Sequence, residues 1–287
     1  MIWRSLLYVP ANVPAFVHKA QSRGADALIL DLEDSVADNA KQAARKMLSE
    51  NWEALRSGPS DLIVRINAPL RDAVRDLEAV VRPGLVGIYL PKITSPDHLR
   101  ILAALVSELE AERDMPAGGI GLVPMIETPS ALEQAFPIAT ASPQVVAITL
   151  GGEDLATACH MTPTPEALFA PRQRIVLAAR AAGISPLGLL DSPANLDSSG
   201  LAELAVRSRQ FGFDGAAVIH PAAIDPLNTG FLPDDAEIAE ARRIVEALDN
   251  ANSQGRASAR IGTRMIDLAM RRRAEAIIER VRTIREK

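Results

Sequence analysis

The 287-residue sequence predicts a (β/α)8 TIM barrel followed by a C-terminal helical extension. Three observations lead there. Short runs rich in Val, Ile and Leu recur about every 30 residues, the spacing of strand–helix units. Helix start and stop signals fill the intervals between them. After Pro221 the alternation gives way to amphipathic helical stretches. A doubly wound open sheet also alternates strands with helices, but it would not require eight such regular units.

Taken in order, the strand candidates are 5–10, 27–34, 62–67, 87–92, 120–127, 145–152, 184–191 and 216–221. Near-continuous apolar runs of this length fit parallel strands covered on both faces. Asn12 is placed to cap a helix that contains Pro14 and stops before Gly24. Ser95-Pro96-Asp97 opens the helix HLRILAALVSELEAE, Thr128-Pro129 opens one directly after Glu127, and Thr164-Pro165-Glu166 opens another that ends near Gly183. The barrel is expected over residues 1–230 and the extension over 231–287. In the extension, DDAEIAEARRIVEALDNA is an amphipathic helix and NSQGRASARIG is expected as a loop. RMIDLAMRRRAEAIIERVRTIREK then closes the chain as a basic helix. Its apolar residues Met265, Ile266, Leu268, Ala269, Ile277 and Ile278 need a surface to pack on, either a neighbouring subunit or the chain's own barrel.

Composition narrows the partners. Net charge is −5 with both signs mixed along the chain, which suits neither a nucleic-acid-binding nor a membrane-binding surface. The single cysteine, Cys159, excludes an intrachain disulfide and a cysteine-based zinc cluster. MIWRSLLYVP is too short for a signal peptide, and no apolar run reaches the ~20 residues of a membrane span, so a cytoplasmic protein is expected.

A barrel carries its chemistry at the C-terminal ends of its strands. Those ends here hold Asp31, Glu33 and Asp34; Arg65 and Asn67; Lys92; Glu127; Glu153 and Asp154; Asp191; and His220. The stretch VPMIETP ends an apolar strand in Glu127, and the next strand ends in Glu153-Asp154. Adjacent strands lie roughly 5 Å apart, close enough for their terminal carboxylates to share one cation, and an all-oxygen site suits Mg²⁺. The alternative is that each acid caps a helix or pairs with a strand-end lysine or arginine. Arg65 is set either to hold a carboxylate at the mouth or to form a structural pair with Asp31 or Glu33. His220 fits a turn histidine bonded to backbone. Gly151-Gly152 would leave backbone N–H groups open to an anionic ligand.

The blocks RSLLYVPAN, GADALILDLEDSVADNAKQAAR, VRIN, LPK, MIETPSAL, LGGEDLA, GFDGAAVIHP and the late MID run in order from residue 4 to residue 267. Together they resemble the citrate lyase β-subunit-like family, which includes the malyl-CoA and citramalyl-CoA lyases of the wider HpcH/HpaI aldolase group. The resemblance implies that Glu127 and Asp154 bind Mg²⁺, with Glu33 and Asp34 accepting from water on the metal. It implies that Arg65 contacts the substrate's reacting oxygens, as Glu127 does through the metal, and that Tyr8 and Lys19 contact coenzyme A. Asp267 would be the general acid/base, carried into the site of a neighbouring subunit in a homo-oligomer, a trimer or a dimer of trimers. The implied reaction is reversible cleavage of a 3-hydroxyacyl-CoA bearing a carboxylate to acetyl-CoA and a 2-oxoacid, glyoxylate or pyruvate. Val13 stands where the family often has an arginine, and Ala222-Ala223 stand where polar residues usually follow IHP. These departures keep open a lyase acting on a free 2-oxoacid or on a carrier-bound substrate. A non-catalytic binding module is the third reading, opposed by the intact acidic set.

Overall fold

The computed structural model describes residues 2–192 and 197–286, which fall into two compact units, Trp3–Phe231 and the residues from Leu232 onward. The first unit begins with strand β1 (Ser5–Pro10), helix α1 (Pro14–Val17), β2 (Ala27–Asp31) and α2 (Lys41–Arg56). It continues with β3 (Asp61–Arg65), α3 (Leu70–Val80), β4 (Leu85–Leu90), α4 (Pro96–Glu112) and β5 (Gly121–Ile126). Then come α5 (Pro129–Glu133), α6 (Ala135–Ala139), β6 (Ala147–Leu150), α7 (Gly152–Ala158) and α8 (Pro165–Ala182). The last elements are β7 (Ser185–Leu187), α9 (Ser198–Phe211), β8 (Ala216–Val218) and α10 (Ile224–Gly230).

All eight strands pair in parallel in the order β7-β6-β5-β4-β3-β2-β1-β8. The ring closes between the ends of that order through the Leu187–Gly215 bridge and a 2.8 Å bond from Gly188 N–H to Gly215 O. The expected TIM barrel is therefore present. Its strands are apolar because both faces are covered: β2 and β5 are buried at every position. Inward side chains such as Leu6, Ile29, Ile63, Tyr89 and Val123 fill the ring, and a larger apolar layer separates strands from helices. No helix among the described residues is long and apolar enough to cross a membrane.

The helix signals at Ser95, Thr128 and Thr164 are realised, each side chain accepting from the backbone N–H three residues on. Gly183 ends α8 in the left-handed region at φ 73°, where a Cβ would be strained. Asn12 behaves differently. Val13 occupies the cap position of α1, and the Asn12 side-chain oxygen is buried without a partner. The chain leaves β1 through a turn closed by Val13 N–H on Pro10 O, so the helix starts one residue later than expected.

The second unit consists of α11 (Asp235–Ser253), β9 (Ala259–Ile261), β10 (Arg264–Ile266) and α12 (Leu268–Arg285). α11 opens with a full capping box, Asp234 and Glu237 each accepting from the other's backbone N–H. The stretch expected as loop instead contributes a strand, since β9 and β10 form an antiparallel hairpin around Gly262-Thr263 with Gly262 at φ 58°. Strands of three residues are too short to display an alternation. The helix consequently begins at Leu268, and Met265 and Ile266 belong to the hairpin. Much of the apolar surface of α12 is covered within the unit: Ile266 and Ala274 are buried against Ala241, Ile244 and Leu248, with Ile277 and Ile278 packed alongside. Met265 and Leu268 stay 66% and 56% exposed.

Candidate active site at the barrel mouth

Glu127 follows the last residue of β5. The pairs Met125–Thr149 and Ile126–Leu150 fix the register with β6, and one further step sets Glu127 beside Gly151. That neighbour has to be glycine: a Cβ on residue 151 would lie 2.4 Å from Glu127 Cγ and 2.7 Å from its Oε1. Glu127 is only 3% exposed, and its Oε2 accepts from the Lys92 N–H, which a left-handed Lys92 (φ 50°) turns toward it. Burial raises the Glu127 carboxyl to about 7; the Lys92 N–H opposes this, while the charges of Asp154 and Glu33 add to it. The Lys92 ammonium itself bonds Glu33 Oε1 at 2.8 Å and lies 3.5 Å from Asp34 Oδ1. Asp154 stands in the exposed first turn of α7 and within electrostatic reach of both Glu127 and Lys92.

Glu127 and Asp154 therefore supply a buried and an exposed carboxylate from the ends of adjacent strands, with negative charge not fully compensated by protein cations. Such a donor set fits a hard divalent ion of the Mg²⁺ type. Among the described residues no group of three or more His, Cys, Asp or Glu is arranged around a metal position. Two protein oxygens with water and substrate completing the shell is the usual arrangement for Mg²⁺.

Across the mouth, Arg65 forks onto Asp31, Nε to Oδ1 at 2.7 Å and Nη2 to Oδ2 at 2.6 Å. Its Nη1 lies 2.9 Å from Glu33 Oε2 and 3.7 Å from Asp34 Oδ2, and its guanidinium covers the Tyr8 ring at 4.8 Å. Arg65 is thus in the structural pair with Asp31 and Glu33, and it also borders the cavity at the mouth. Burial pushes the Asp31 carboxyl up, but the hydrogen bonds and charge of Arg65 outweigh it and leave Asp31 below its ordinary value. Glu33 is pushed up by burial despite Lys92 and Arg65.

The loop bearing these acids is held from behind. Lys41 Nζ sits 3.3 Å from the carbonyl oxygens of Leu32 and Glu33 and also bonds Asn67 Oδ1. Asn67 donates to Leu32 O at 2.9 Å and to Asp76 Oδ2 at 2.7 Å, and Arg45 closes the far side of Asp76 at 2.6 Å. Sequence reasoning singled out Asn67 but missed Lys41, Arg45 and Asp76. The available signal was that Lys41 and Arg45 share a face of α2 with buried Ala44 and Leu48.

Tyr8 divides two cavities. The larger, about 850 Å³, runs along β1 and the segment after β8 and includes Phe16, Arg23, Arg65, Ile219 and His220. His220 Nδ1 accepts from Ala222 N–H at 3.2 Å, the backbone-bonded turn histidine expected. Lys19 is exposed and off this wall; Arg23, one turn later, lines it. The smaller cavity, about 340 Å³, lies over β5 to β8 and includes Met125, Thr149, Gly152 and Arg172. The Gly151 N–H expected to be open is donated to Ile126 O at 2.9 Å, because residue 151 still continues the strand ladder. Asp267 lies in the second unit, exposed, where its Oδ1 accepts from Met270 N–H at 3.0 Å and caps α12.

Residues 4–221 match the family model described as HpcH/HpaI aldolase/citrate lyase. The chain is 35% identical over 281 residues to the citrate lyase subunit beta of Escherichia coli strain K12, covering 96% of this chain and 92% of that one. It is 32% identical over 301 residues to the L-malyl-CoA/beta-methylmalyl-CoA lyase of Rhodobacter capsulatus, covering 96% and 93%. Among solved structures, the protein CitE from Mycobacterium tuberculosis in complex with magnesium, acetoacetate and coenzyme A matches with a TM-score of 0.76 at 30% identity, over 96% of this chain and 97% of that one.

Proposed function

The chain belongs to the HpcH/HpaI aldolase/citrate lyase family and is a carbon–carbon lyase, and from that premise we propose a Mg²⁺-dependent cleavage of a 3-hydroxy-carboxyacyl-CoA of the malyl- or citramalyl-CoA type. The products are acetyl-CoA and a 2-oxoacid, glyoxylate or pyruvate. The observation that carries this is the buried Glu127 carboxylate beside Asp154, facing the Arg65 guanidinium across one mouth. Magnesium in a solved relative's complex supports the ion assignment.

In the cleavage, the C2–C3 bond breaks and its electron pair stays on C2 as the enolate of the thioester. The C3 hydroxyl loses its proton and becomes the carbonyl of the 2-oxoacid, and C2 gains a proton. When bound by Glu127 and Asp154, Mg²⁺ supplies Lewis-acid polarisation of the oxoacid oxygens. Arg65, kept charged and oriented by Asp31 and Glu33, faces the developing enolate with a fixed positive edge. Lys92 and Lys41 hold the Glu33 loop so that this edge does not move. Tyr8 forms the apolar floor under Arg65 and keeps water from the reacting carbons. Asp267 delivers and removes the proton at C2, presented by the second unit of a neighbouring chain.

The larger cavity takes the pantetheine arm, with Arg23 supplying a cation for the CoA phosphates that Val13 does not. A second reading has one observation in its favour, the 35% identity to a citrate lyase subunit beta over nearly the whole chain: the thioester would then be carried on a protein rather than on free CoA. One assay separates the two. Purified protein is offered malyl-CoA, citramalyl-CoA and free 2-oxoacids with acetyl-CoA, with Mg²⁺ and with a chelator. Mg²⁺-dependent release of acetyl-CoA supports the first reading. Turnover that appears only when the same acyl group is attached to a carrier protein replaces it with the second, and no turnover of any thioester removes both.

A further inference from the structure

The β9–β10 hairpin has two faces of different character. Its register sets Arg264 opposite Ile261, Met265 opposite Arg260 and Ile266 opposite Ala259. Ala259, Ile261 and Ile266 pack against the apolar side of α11, and Arg264 on that same face lies 3.8 Å from Glu240 of the helix. Alternation along each strand therefore turns Arg260 and Met265 outward, and both are exposed. Asp267 keeps an extended backbone, φ −135° and ψ −177°, so it continues the alternation and shares the outer face with Met265. A cation, an apolar side chain and the carboxylate assigned the proton transfer thus stand on one surface. By the diagonal spacing of an antiparallel pair, the Arg260 side chain starts roughly 7–8 Å from that of Asp267.

The surrounding charge has the sign for an anion. Residues 256–287 hold ten basic and four acidic side chains, a net +6, in a chain whose total is −5. Arg271 is engaged by Asp249 and Glu275, and Arg282 by Glu279, whereas Arg260 stands on the face that travels with Asp267. In the reaction proposed above, Asp267 serves C2, the carbon bonded to the thioester carbonyl, from a neighbouring chain. The thioester arm leaves that carbon through the larger cavity beside Tyr8, whose exposed rim residues Phe16 and Ile219 match Met265 in character. The outer face of the hairpin then lies over the arm. Pantetheine itself is uncharged, so the first anion a guanidinium meets along the arm is the phosphate of the nucleotide end. We propose that Arg260 is a substrate-binding residue delivered in trans, holding the phosphates of coenzyme A over a neighbouring chain's cavity. The assignment rests on the CoA-thioester reading and adds to Arg23 a second cation that belongs to another copy. A carrier-bound arm ends in a single phosphodiester and offers Arg260 less charge, so this residue favours free CoA.

Calorimetry compares CoA with pantetheine on wild type, Arg260→Gln, Arg260→Lys and Arg264→Gln, the last a change on the opposite face, all with Mg²⁺ and without oxoacid. Wild type should bind CoA more tightly than pantetheine. Arg260→Gln should lose roughly tenfold of that advantage, Arg260→Lys should keep part of it, and Arg264→Gln should keep it all. A KM measurement then tests delivery between chains. When Arg260→Gln protein is mixed with inactive Glu127→Ala protein under subunit exchange, only the Arg260→Gln chains carry working mouths. About half of those mouths gain an intact Arg260 from a neighbour by random assortment, and their KM for the CoA thioester should return to the wild-type value. A KM that stays at the Arg260→Gln value after proven exchange overturns delivery in trans. Loss of the CoA advantage in Arg260→Gln, in a protein that turns over no thioester, supports the phosphate contact and removes the lyase reading alone. An advantage unchanged in Arg260→Gln overturns the assignment and leaves the lyase reading standing. A wild type that binds pantetheine as tightly as CoA overturns it before any variant is made.

Discussion

At the scale of single residues, the metal assignment turns on Glu127 and on the glycine that makes room for it. Glu127→Ala or Asp154→Ala should abolish Mg²⁺-dependent turnover while the thermal melt stays close to wild type, because both acids serve the mouth and not the apolar layers. Full activity in either variant removes the metal site as assigned. Gly151→Ala is the sharper probe. The added methyl would stand 2.4 Å from Glu127 Cγ, so the carboxylate has to move, whereas overpacking at one mouth position costs only about 1–3 kcal/mol of stability. Mg²⁺ titration and turnover should fall together at least tenfold; an unchanged titration would show that Glu127 does not ligate. Arg65 needs a different contrast because it is both ion-paired and at the mouth. Arg65→Lys keeps the charge but loses the fork on Asp31 and the edge toward substrate, with an expected loss of about 2–4 kcal/mol in transition-state stabilisation. If kcat/KM holds and only the melting temperature drops, Arg65 is a structural pair and nothing more.

At the scale of elements, the barrel was readable because each strand is covered on both faces and so appears as an uninterrupted apolar run, 27–31 and 121–126 most plainly. The strand-end carboxylates were readable for the same reason, since a charge closing such a run has to be accounted for. What escaped depends on contacts distant in sequence. The clamp of Lys41, Asn67, Asp76 and Arg45 joins α2 to β3 and α3. The β9–β10 hairpin escaped because three-residue strands show no period, and its presence moves Asp267 from the first turn of the expected helix to the cap of α12. That position separates two roles. Asp267→Ala removes both cap and acid, and should destabilise the second unit by ~1 kcal/mol. Asp267→Asn caps nearly as well but cannot exchange a proton. Asparagine should therefore keep the melting temperature and lose turnover as alanine does; an active Asp267→Asn enzyme would leave Asp267 as a cap only.

At the scale of the whole molecule, the remaining question is which chain's mouth Asp267 serves. It is exposed, and the residues on either side of its turn, Met265 and Leu268, are exposed apolar side chains left over after α12 has packed on α11. The larger of the two cavities beside Tyr8 is bordered by Phe16 and Ile219, 56% and 80% exposed, which is an apolar rim of matching character. Such a tip is proposed to join such a rim of the next copy, a heterologous contact that would have to close as a ring to give the expected trimer or dimer of trimers. Each site would then take its carboxylates from one chain and its acid from the next. Complementation tests this without knowledge of the substrate's finer identity. Glu127→Ala and Asp267→Asn proteins should each be inactive alone. After equal mixing under conditions of subunit exchange, about a quarter of the sites, by random assortment around a closed ring, combine an intact Glu127 with a neighbour's intact Asp267. Activity should rise toward that fraction as exchange proceeds and stay at zero when the two are mixed without exchange. If exchange is demonstrated by mass and no activity returns, Asp267 acts within its own chain or outside catalysis. A size measurement of the wild type then decides further, because a monomer that turns over at full rate would exclude any site shared between copies.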